Sequence, residues 1–481
     1  MDQKKLTKGC ILALLIYIVL AVAFFLISGD QLHYRDGQTD MLNCEGVVGE
    51  ITADTVVEQN LNLNTDILTG ITLYGATYER QNTGDLLIQF VSGDEILSEY
   101  RADISALSDN STFFIPVNVT LPKGDRLVLR ITAPDSVPGN AITLYYGKTM
   151  QASHSAVAVP LQEDEFVFLN GKPLGGALCL SMNTRKILWF GSHYWEFASA
   201  GLLLLGFYCV WLLNRNKKGE QSLVLNLISA FKRYKFLIKQ LVARDFKTKY
   251  KRSVLGVFWS FLNPLLTMSV QYIVFSTLFR SNIPNFALYL LIGIVCFSYF
   301  SEATSLALTS IIGNASLITK VYVPKYLYPL TRVMSSTVNF LLALVPLFAV
   351  LLFTHTPIRW SFLLLPLPIA CLFALSLGIG MVLAASMVFF RDTQFLWSVV
   401  SMLWMYATPI FYPESILPQQ LMPLFKCNPL YHIIRFMRTI LMDGVSPEPK
   451  VYLLMIIASF VPLAIGVLIF KRTQDQFVLN L

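Results

Sequence analysis

Continuous apolar stretches recur along this chain, and each is close to or above the roughly 20 residues that cross a bilayer as a helix. They cover residues 10–28, 194–213, 255–279, 286–308, 328–353, 361–390, 394–412 and 451–470. The pattern predicts a polytopic α-helical membrane protein with about eight transmembrane helices. The first stretch is longer than the apolar region of a signal peptide, so we expect it to remain as an uncleaved helix.

Between residues 30 and 190 the pattern changes to alternation. Leu127, Leu129 and Ile131 alternate with polar residues, as in half-buried strands, and turn pairs such as Asn170-Gly171 separate such segments. We predict an all-β sandwich of about eight strands inserted between the first two helices. Carbohydrate-binding modules and plain spacer domains share this pattern, so the fold leaves the role open. The tyrosines expected to stack on sugar rings, unless they pack in the core, are Tyr74, Tyr78, Tyr145 and Tyr146.

A basic amphipathic segment precedes the third apolar stretch. From residue 223 to 246 apolar residues recur at steps of three and four, with lysines and arginines between them. A helix with one apolar face and one strongly basic face lies in the membrane interface rather than across the bilayer. A soluble amphipathic helix is the alternative, and the neighbouring apolar stretches disfavour it.

Charge is distributed unevenly and orients the predicted helices. The 481 residues include 37 Lys and Arg and 30 Asp and Glu, but residues 30–186 hold 20 of the acidic and 10 of the basic ones. A net charge of about −10 in that segment leaves about +17 for the rest of the chain. Because cytoplasmic loops are the basic ones, both termini are expected in the cytoplasm and residues 30–190 outside it. Basic residues placed beside apolar stretches indicate a membrane face rather than nucleic-acid binding.

The sequence carries no motif for catalysis or nucleotide binding. Gly147-Lys148-Thr149 ends like a P-loop, but Ile142 occupies the position that requires glycine. HExxH and GxSxG do not occur, and the seven cysteines lack metal-ligand spacing. We therefore expect no enzyme activity, catalytic residue, metal or cofactor in this chain. Cys44 and Cys179 both lie in the β segment, either as thiols or as a disulfide.

Five motifs follow one another in the second half of the chain. They are RDFKTKYKRSVLGVFWSFLNPLL (244–266), NASLITKVYVPKYLYPL (314–330), FFRD (389–392), PIFYP (409–413) and NPLYHIIRFMRTIL (428–441). Together they resemble the ABC-2 type polysaccharide export permease family, the membrane subunits of ABC transporters for O-antigen, teichoic acid or capsular polysaccharide. The resemblance covers residues 223–481 and implies a six-span core, a second copy of the chain, and a separate ATPase subunit that holds ATP and Mg.

The first helix and the β-sandwich are additions to this core, so the resemblance does not assign their role. The expected organisation is a tail and first helix (1–29), the β-sandwich (30–190), the second helix (191–213), a linker with the interfacial helix (214–252) and the permease core (253–481).

The resemblance implies that the loop at residues 314–326 forms a coupling helix that docks in a groove of the ATPase. Its residues agree with this role, since Asn314 or Ser316 is suited to cap a short helix and Pro324 to end it. A plain connecting loop is the alternative. The predicted coupling residues are Asn314, Leu317, Ile318, Lys320, Val321, Tyr322, Pro324 and Lys325.

Further residues are expected along a translocation path. The basic segment would lie at the cytoplasmic entrance, where Lys232, Arg233, Lys235, Lys239, Arg244 and Lys247 attract the diphosphate of a lipid carrier. Aromatic rings on which sugars slide, and one acidic residue in an apolar stretch, are Phe258, Trp259, Phe261, Phe297, Tyr299, Phe300 and Glu302. Residues 414–445 are expected to form re-entrant outer helices. There Arg435 and Arg438 would share one face, to meet a phosphate or acidic sugar or to reach lipid headgroups.

The sequence thus predicts a multi-pass permease of the bacterial plasma membrane that exports an undecaprenyl-diphosphate-linked polysaccharide with a partner ATPase. An ABC-2 exporter of drugs, lipids or peptides is the first alternative. A membrane-anchored carbohydrate-binding sensor or adhesin is the alternative from another class.

Overall fold

The computed structural model describes residues 3–39, 41–62, 65–93, 95–120, 127–150, 159–160, 165–218, 223–251, 256, 258–279, 285–320, 323–416 and 418–480. The chain forms two compact units, one of Met1–Leu32 with His193–Leu481 and the other of His33–Ser192. The first unit is helical and the second is built of strands. The β-rich segment predicted from alternation is confirmed.

The strands of the second unit, which we call the β unit, pair antiparallel. They are β1 (Tyr34–Gln38), β2 (Gly46–Val47), β3 (Val57–Leu61), β4 (Ile67–Ala76), β5 (Asp85–Ser92), β6 (Glu95–Asp103), β7 (Ser111–Thr120), β8 (Leu127–Thr132), β9 (Thr143–Gly147), β10 (Thr149–Met150), β11 (Val159–Pro160), β12 (Val167–Leu169), β13 (Lys172–Pro173), β14 (Ala177–Leu178) and β15 (Leu180–Ile187). Within the described residues, the first sheet has the order β1-β15-β4-β9-β14, with β2 on β9 and β7 on β4. The second sheet has the order β13-β12-β3-β8-β5-β6, and β10 pairs with β11.

The two sheets share one apolar core. Ile71 and Ile115 from the first sheet and Ile88, Leu129 and Ile131 from the second are fully buried in a single cluster. Burying one such side chain contributes about 1.5–3 kcal/mol, so the alternation in the sequence selects which face of each strand turns inward. The β unit is therefore a sandwich whose outer faces carry the polar residues.

The helical unit contains helices of very different lengths. They are α1 (Gln3–Ser28), α2 (Asp30–His33), α4 (Tyr194–Lys217), α5 (Leu223–Tyr250), α6 (Phe258–Phe279), α7 (Phe286–Leu308), α8 (Ala315–Lys320), α9 (Leu327–Phe353), α10 (Pro366–Phe389), α11 (Thr393–Tyr406), α12 (Met422–Lys426), α13 (Pro429–Arg438), α14 (Pro449–Thr473) and α15 (Phe477–Asn480). The short helix α3 (Trp189–Ser192) belongs to the β unit.

Six stretches among the described residues are long and apolar enough to cross a membrane. They are Gln3–Ser28, Tyr194–Lys217, Phe286–Leu308, Leu327–Phe353, Trp360–Phe389 and Pro449–Asn480. Helix α6 has 22 residues, which at 1.5 Å per residue span about 33 Å. These helices agree with a polytopic membrane protein, while the total of eight spans stays a prediction.

Helices α7, α9, α10 and α14 form the centre of the helical unit. Along α7, Leu290, Ile292 and Phe300 are fully buried. Helices α10 and α14 approach most closely at two glycines, since a Cβ on Gly466 would lie 2.1 Å from the carbonyl oxygen of Gly378. Small residues at such a crossing let two helix backbones touch, as is common between membrane helices.

The added helices α1 and α4 pack against each other and leave most of their surface exposed. Tyr194 Oη donates to the carbonyl oxygen of Ala21 at 2.7 Å. At the end of α1, the hydroxyls of Ser28 and Ser446 lie 3.2 Å apart. Only 6% of the most apolar stretch of α1 and 11% of that of α4 are buried by the protein. Their exposed apolar faces are what contact with lipid requires.

The stretch predicted to span the membrane at residues 394–412 is shorter in the structure. Helix α11 has 14 residues, or about 21 Å, which is less than the roughly 30 Å hydrocarbon core. The helix ends at Tyr406 because Pro409 has no amide proton and disfavours helical backbone at Thr408 before it. Apolar residues continue past this point, so hydropathy alone overestimates the length.

The region predicted as re-entrant contains two short helices. Helix α12 has five residues and α13 has ten, and neither is long enough to cross a bilayer. Pro429 starts α13, while Asn428 before it accepts a hydrogen bond from the Leu430 amide at 3.0 Å. The break between the two helices is therefore encoded locally.

Candidate functional site

A polar cluster joins the end of α5 to α7 and α9. Lys249 Nζ lies 2.7 Å from Glu302 Oε1, and Asn339 Nδ2 donates to the same oxygen at 2.8 Å. A carboxylate in an otherwise apolar helix is costly unless it is paired or reaches water. Glu302 is paired with Lys249 and Asn339 and also reaches water, because its side chain is 32% exposed.

Tyr250 extends the cluster to α6. Its hydroxyl donates to Asn339 Oδ1 at 3.1 Å and contacts the hydroxyl of Ser260. A tyrosine hydroxyl has one proton to donate, so Ser260 is the donor in the second contact. The amide of Asn339 thus fixes both Glu302 and Tyr250, and four helices meet through these side chains.

A cavity of about 350 Å³ opens beside the cluster. Its wall combines aromatic rings with polar groups, among them Lys249, Tyr250, Trp259, Asn263, Tyr299 and Glu302. Trp259 is 46% exposed, whereas Tyr299 is buried and its hydroxyl lies 2.9 Å from Thr337 Oγ1. Aromatic faces beside hydrogen-bonding groups are the chemistry that accommodates a sugar ring.

A second cavity, of about 640 Å³, shares Lys249, Glu302 and Asn339 with the first. Its other lining residues include Arg244, Asp245, Asn314 and Arg332. The Lys249–Glu302 pair therefore stands at the boundary between two polar cavities of the helical unit.

An ion-pair network in the second cavity connects α5 with α9 and with the segment before α8. Asp245 lies 3.0 Å from Arg332 and 3.2 Å from Arg244, and its side chain is only 10% exposed. Arg244 Nη2 also donates to Asn314 Oδ1 at 3.5 Å. A displacement of Asn314 would reach Arg244 directly and Lys249 little more than one turn along the same helix.

Of the predicted coupling residues, Leu317, Ile318 and Lys320 lie in the short helix α8, and several of the predicted residues contact the rest of the helical unit. Asn314 does not cap α8, because its Oδ1 accepts from Arg244 Nη2 at 3.5 Å while its Nδ2 donates to the carbonyl oxygen of Ser310 at 2.7 Å. Lys325 Nζ donates to the carbonyl oxygen of Gln474 at 2.5 Å rather than extending towards a partner. Ile318 is buried in the core of the helical unit and Leu317 packs against it.

On the described part of this segment, the surface consists of polar residues. Ser316, Thr319 and Lys320 are exposed, while Pro324 is half-buried. Val321 and Tyr322 lie outside the described residues. The apolar residues Leu317 and Ile318 of this segment are thus covered by the chain itself.

The predicted path aromatics divide between the cavity and the core. Of the seven path residues, the cavity brings together Trp259, Tyr299 and Glu302. Phe300 is fully buried, with ring centroids 5.3 Å from Trp404 and 6.2 Å from Trp397. Phe297 is also buried. Phe258 is 52% exposed and does not line the cavity. The ring centroid of Phe261 lies 6.3 Å from that of Phe258.

The basic face of α5 is present as predicted. Ile238 and Leu241 are buried, and the basic residues of the opposite face are exposed. These exposed residues are Lys232, Arg233, Lys235, Lys239, Arg244 and Lys247. Of them, Arg244 is held in the ion-pair network described above.

The two outer arginines do not share a face. Arg438 is buried, donates to the carbonyl oxygens of Pro409 at 2.8 Å and of Tyr289 and Ile410 at 3.2 Å, and stacks 3.3 Å from the ring of Tyr289. Arg435 is exposed and donates to Tyr431 Oη at 3.1 Å. Arg438 therefore ties α13 to α7 and to the segment after α11 through their carbonyl oxygens, and only Arg435 keeps the predicted access to an outer ligand.

Three of the four tyrosines proposed for sugar stacking pack within the β unit. The rings of Tyr74 and Tyr145 lie 4.7 Å apart over the buried cluster that contains Cys179, and Tyr146 packs on the main core. Tyr78 is 36% exposed, with Arg80 5.2 Å from its ring. No flat platform of exposed tyrosines exists among the described residues. The Cys44 and Cys179 thiols are both free.

Sequence reasoning missed Lys249, Tyr250 and Asn339 in the first cavity, and Asp245 and Arg332 in the second. Asn339 gave a usable signal, since an amide in the apolar stretch 328–353 requires a polar partner. The other four lie beside the membrane spans or near their ends, where charged and polar residues are ordinary, and only the fold brings them together.

Comparison with known proteins gives consistent results for the second half of the chain. Residues 236–442 match the family described as ABC-2 type transporter. The chain is 30% identical over 258 residues to the O-antigen export system permease protein RfbA of Myxococcus xanthus, which is 53% of this chain and 98% of that protein. It is 30% identical to the O-antigen export system permease protein RfbA of Klebsiella pneumoniae, over 50% of this chain and 93% of that protein. It is 25% identical to the polysialic acid transport protein KpsM of Escherichia coli, over 52% of this chain and 98% of that protein.

Proposed function

Because the chain belongs to the ABC-2 type polysaccharide export permease family, we propose that it moves a lipid-linked polysaccharide across the bacterial plasma membrane, powered by a separate ATPase subunit. Undecaprenyl diphosphate is the proposed carrier. The observation that carries this proposal is the cavity in which Trp259 and Tyr299 lie beside the Lys249–Glu302 pair. The cavity offers rings for sugar faces and polar groups for hydroxyls.

The basic face of α5 serves as the entrance in this proposal. Each Lys or Arg close to an anionic membrane surface contributes about 1 kcal/mol of attraction. Lys232, Lys235 and Lys239 would concentrate an anionic carrier headgroup along α5, which reaches the cavity at Lys249. With α5 in the cytoplasmic interface, the termini are cytoplasmic and the β unit is extracytoplasmic, as the distribution of basic loops indicates.

Energy enters through α8, which is placed to contact the ATPase with Ser316, Thr319 and Lys320. Movement of this segment would pass from Asn314 to Arg244 and then along α5 to Lys249, following the hydrogen bond and ion pairs described above. Two copies of the chain would enclose the path between them. ATP and Mg would be held by the ATPase.

The experiment compares two tryptophan variants in cells that also express the cognate ATPase. Trp259→Ala removes a ring from the cavity and should lower surface polysaccharide several-fold. Trp360 is 79% exposed and does not line the cavity, so Trp360→Ala should export like the unsubstituted chain. Equal export by both variants at equal membrane abundance would contradict the proposed path.

A further inference from the structure

The outer face of the second sheet in the β unit carries a row of side chains that runs across five strands. Strand pairing places Phe168 beside Glu58, Glu58 beside Arg130, Arg130 beside Gln89, and Gln89 beside Glu99. Each of these residues alternates with an inward neighbour of the core, such as Val57 or Leu129. The row is therefore turned away from the core along its whole length.

A groove of about 370 Å³ lies over part of this row. Phe168, Glu58 and Arg130 line it, together with Asn60 and Val128 of the neighbouring positions. Gly93 and Gly171 also line it, and a Cβ on either glycine would meet no atom within 4 Å. The groove thus remains open beside these glycines, as binding of an internal segment of a polymer requires.

The ion pair in the groove leaves hydrogen-bonding groups of both side chains available to a ligand. Arg130 Nε donates to Glu58 Oε1 at 2.7 Å, while the two side chains stay 41% and 33% exposed. Of the five N–H donors of this guanidinium, Nε is the one engaged among the described residues. The Nη groups and the second carboxylate oxygen of Glu58 can pair with neighbouring hydroxyls of one sugar.

We propose that this groove binds a neutral glycan, with Phe168 stacking on a sugar ring and Arg130, Glu58 and Asn60 pairing with its hydroxyls. The glycan as ligand class rests on the proposed export function, but the groove differs from the tyrosine cluster considered earlier. A neutral polymer fits because Glu58 offsets Arg130, and Arg101 lies 3.5 Å from Glu99 at the end of the row. Residues 30–186, with a net charge of about −10, would repel a polyanion.

The test measures binding of neutral hexose oligosaccharides (from a glucan, a mannan and a galactan) to the full-length chain in detergent, without the ATPase. Oligogalacturonate serves as the polyanionic probe. At least one neutral oligosaccharide should bind, with affinity falling about tenfold in Phe168→Ala, as for a central aromatic contact. Phe114→Ala is the matched control, because Phe114 is an exposed aromatic residue of the first sheet (53%).

Asn60→Ala is the second variant, in case Phe168→Ala folds poorly. Asn60 lines the groove and is only half-buried, so Asn60→Ala should also weaken binding. Absence of neutral binding, tighter binding of oligogalacturonate, or equal losses in Phe168→Ala and Phe114→Ala would overturn the proposal. Export by cells is scored separately. Normal export without glycan binding rejects this inference alone, whereas binding without export rejects the proposed function alone.

Discussion

The Lys249–Glu302 pair makes a prediction about substrate affinity. In the proposed function, an anionic carrier headgroup would compete with Glu302 for Lys249, so Glu302→Gln should release the lysine while keeping the shape of the side chain. The pair is close, at 2.7 Å, but 45% and 32% exposed, which places its strength near the 0.5–1 kcal/mol of partly solvated ion pairs. Removing the competition should therefore lower the apparent KM for a lipid-diphosphate glycan about two- to fivefold.

The assay is substrate-stimulated ATP hydrolysis by proteoliposomes that contain the chain and its ATPase. Lys249→Met should raise the apparent KM, and Glu302→Gln added to it should have little further effect because the competed group is gone. Lys471→Met is the control, since Lys471 is an exposed lysine at the end of α14. An unchanged or higher KM in Glu302→Gln would refute the competition.

Three further perturbations test other parts of the structure. Arg438→Met should lower the free energy of unfolding by about 1.5–3 kcal/mol, because it removes a charged donor from three carbonyl oxygens; Arg435→Met should cost less than about 1 kcal/mol, and similar thermal shifts in detergent for both would contradict this difference. Replacing Lys232, Lys235 and Lys239 by Glu should reduce export without preventing insertion, and unchanged surface polysaccharide would count against the entrance. Burial acts to raise the pKa of Asp109, but the backbone amides of Thr77 and Glu79 outweigh it and hold that pKa below its usual range. A carboxyl group whose pKa is lowered by folding stabilises the folded state at pH values above its unfolded pKa of about 3.9, and this stabilisation is lost on acidification. The difference in melting temperature between the unsubstituted chain and Asp109→Asn should therefore shrink from pH 6 to pH 3; a constant difference would refute this assignment.

Periodicity predicted the elements whose environment is uniform along their length. Strand β8 alternates buried and half-buried residues as its sequence does, because one face of a sandwich strand meets core and the other meets water. Helix α7 is apolar along most of its length, apart from Glu302 and several hydroxyl residues, and is buried on most sides. In both cases the local pattern alone determines which surface is covered.

Elements that depend on distant partners were not predictable in the same way. Arg438 turns inward because its guanidinium donates to carbonyl oxygens at Pro409 and Tyr289, which lie far away in the sequence. The spacing of three residues predicted that Arg435 and Arg438 share one face, but spacing contains no information about contacts with distant carbonyl oxygens. The cavity likewise forms from residues 249, 302 and 339, whose proximity depends on helix packing.

In the proposed function, this chain supplies the membrane passage and a separate ATPase supplies the energy. The most direct measurement reconstitutes the purified chain, with and without the cognate ATPase, in vesicles that contain lipid-diphosphate glycan and scores glycan reaching the opposite side after ATP is added. We predict transfer only when both proteins and hydrolysable ATP are present. Transfer by the chain alone, or its absence with an active ATPase bound, would contradict the account.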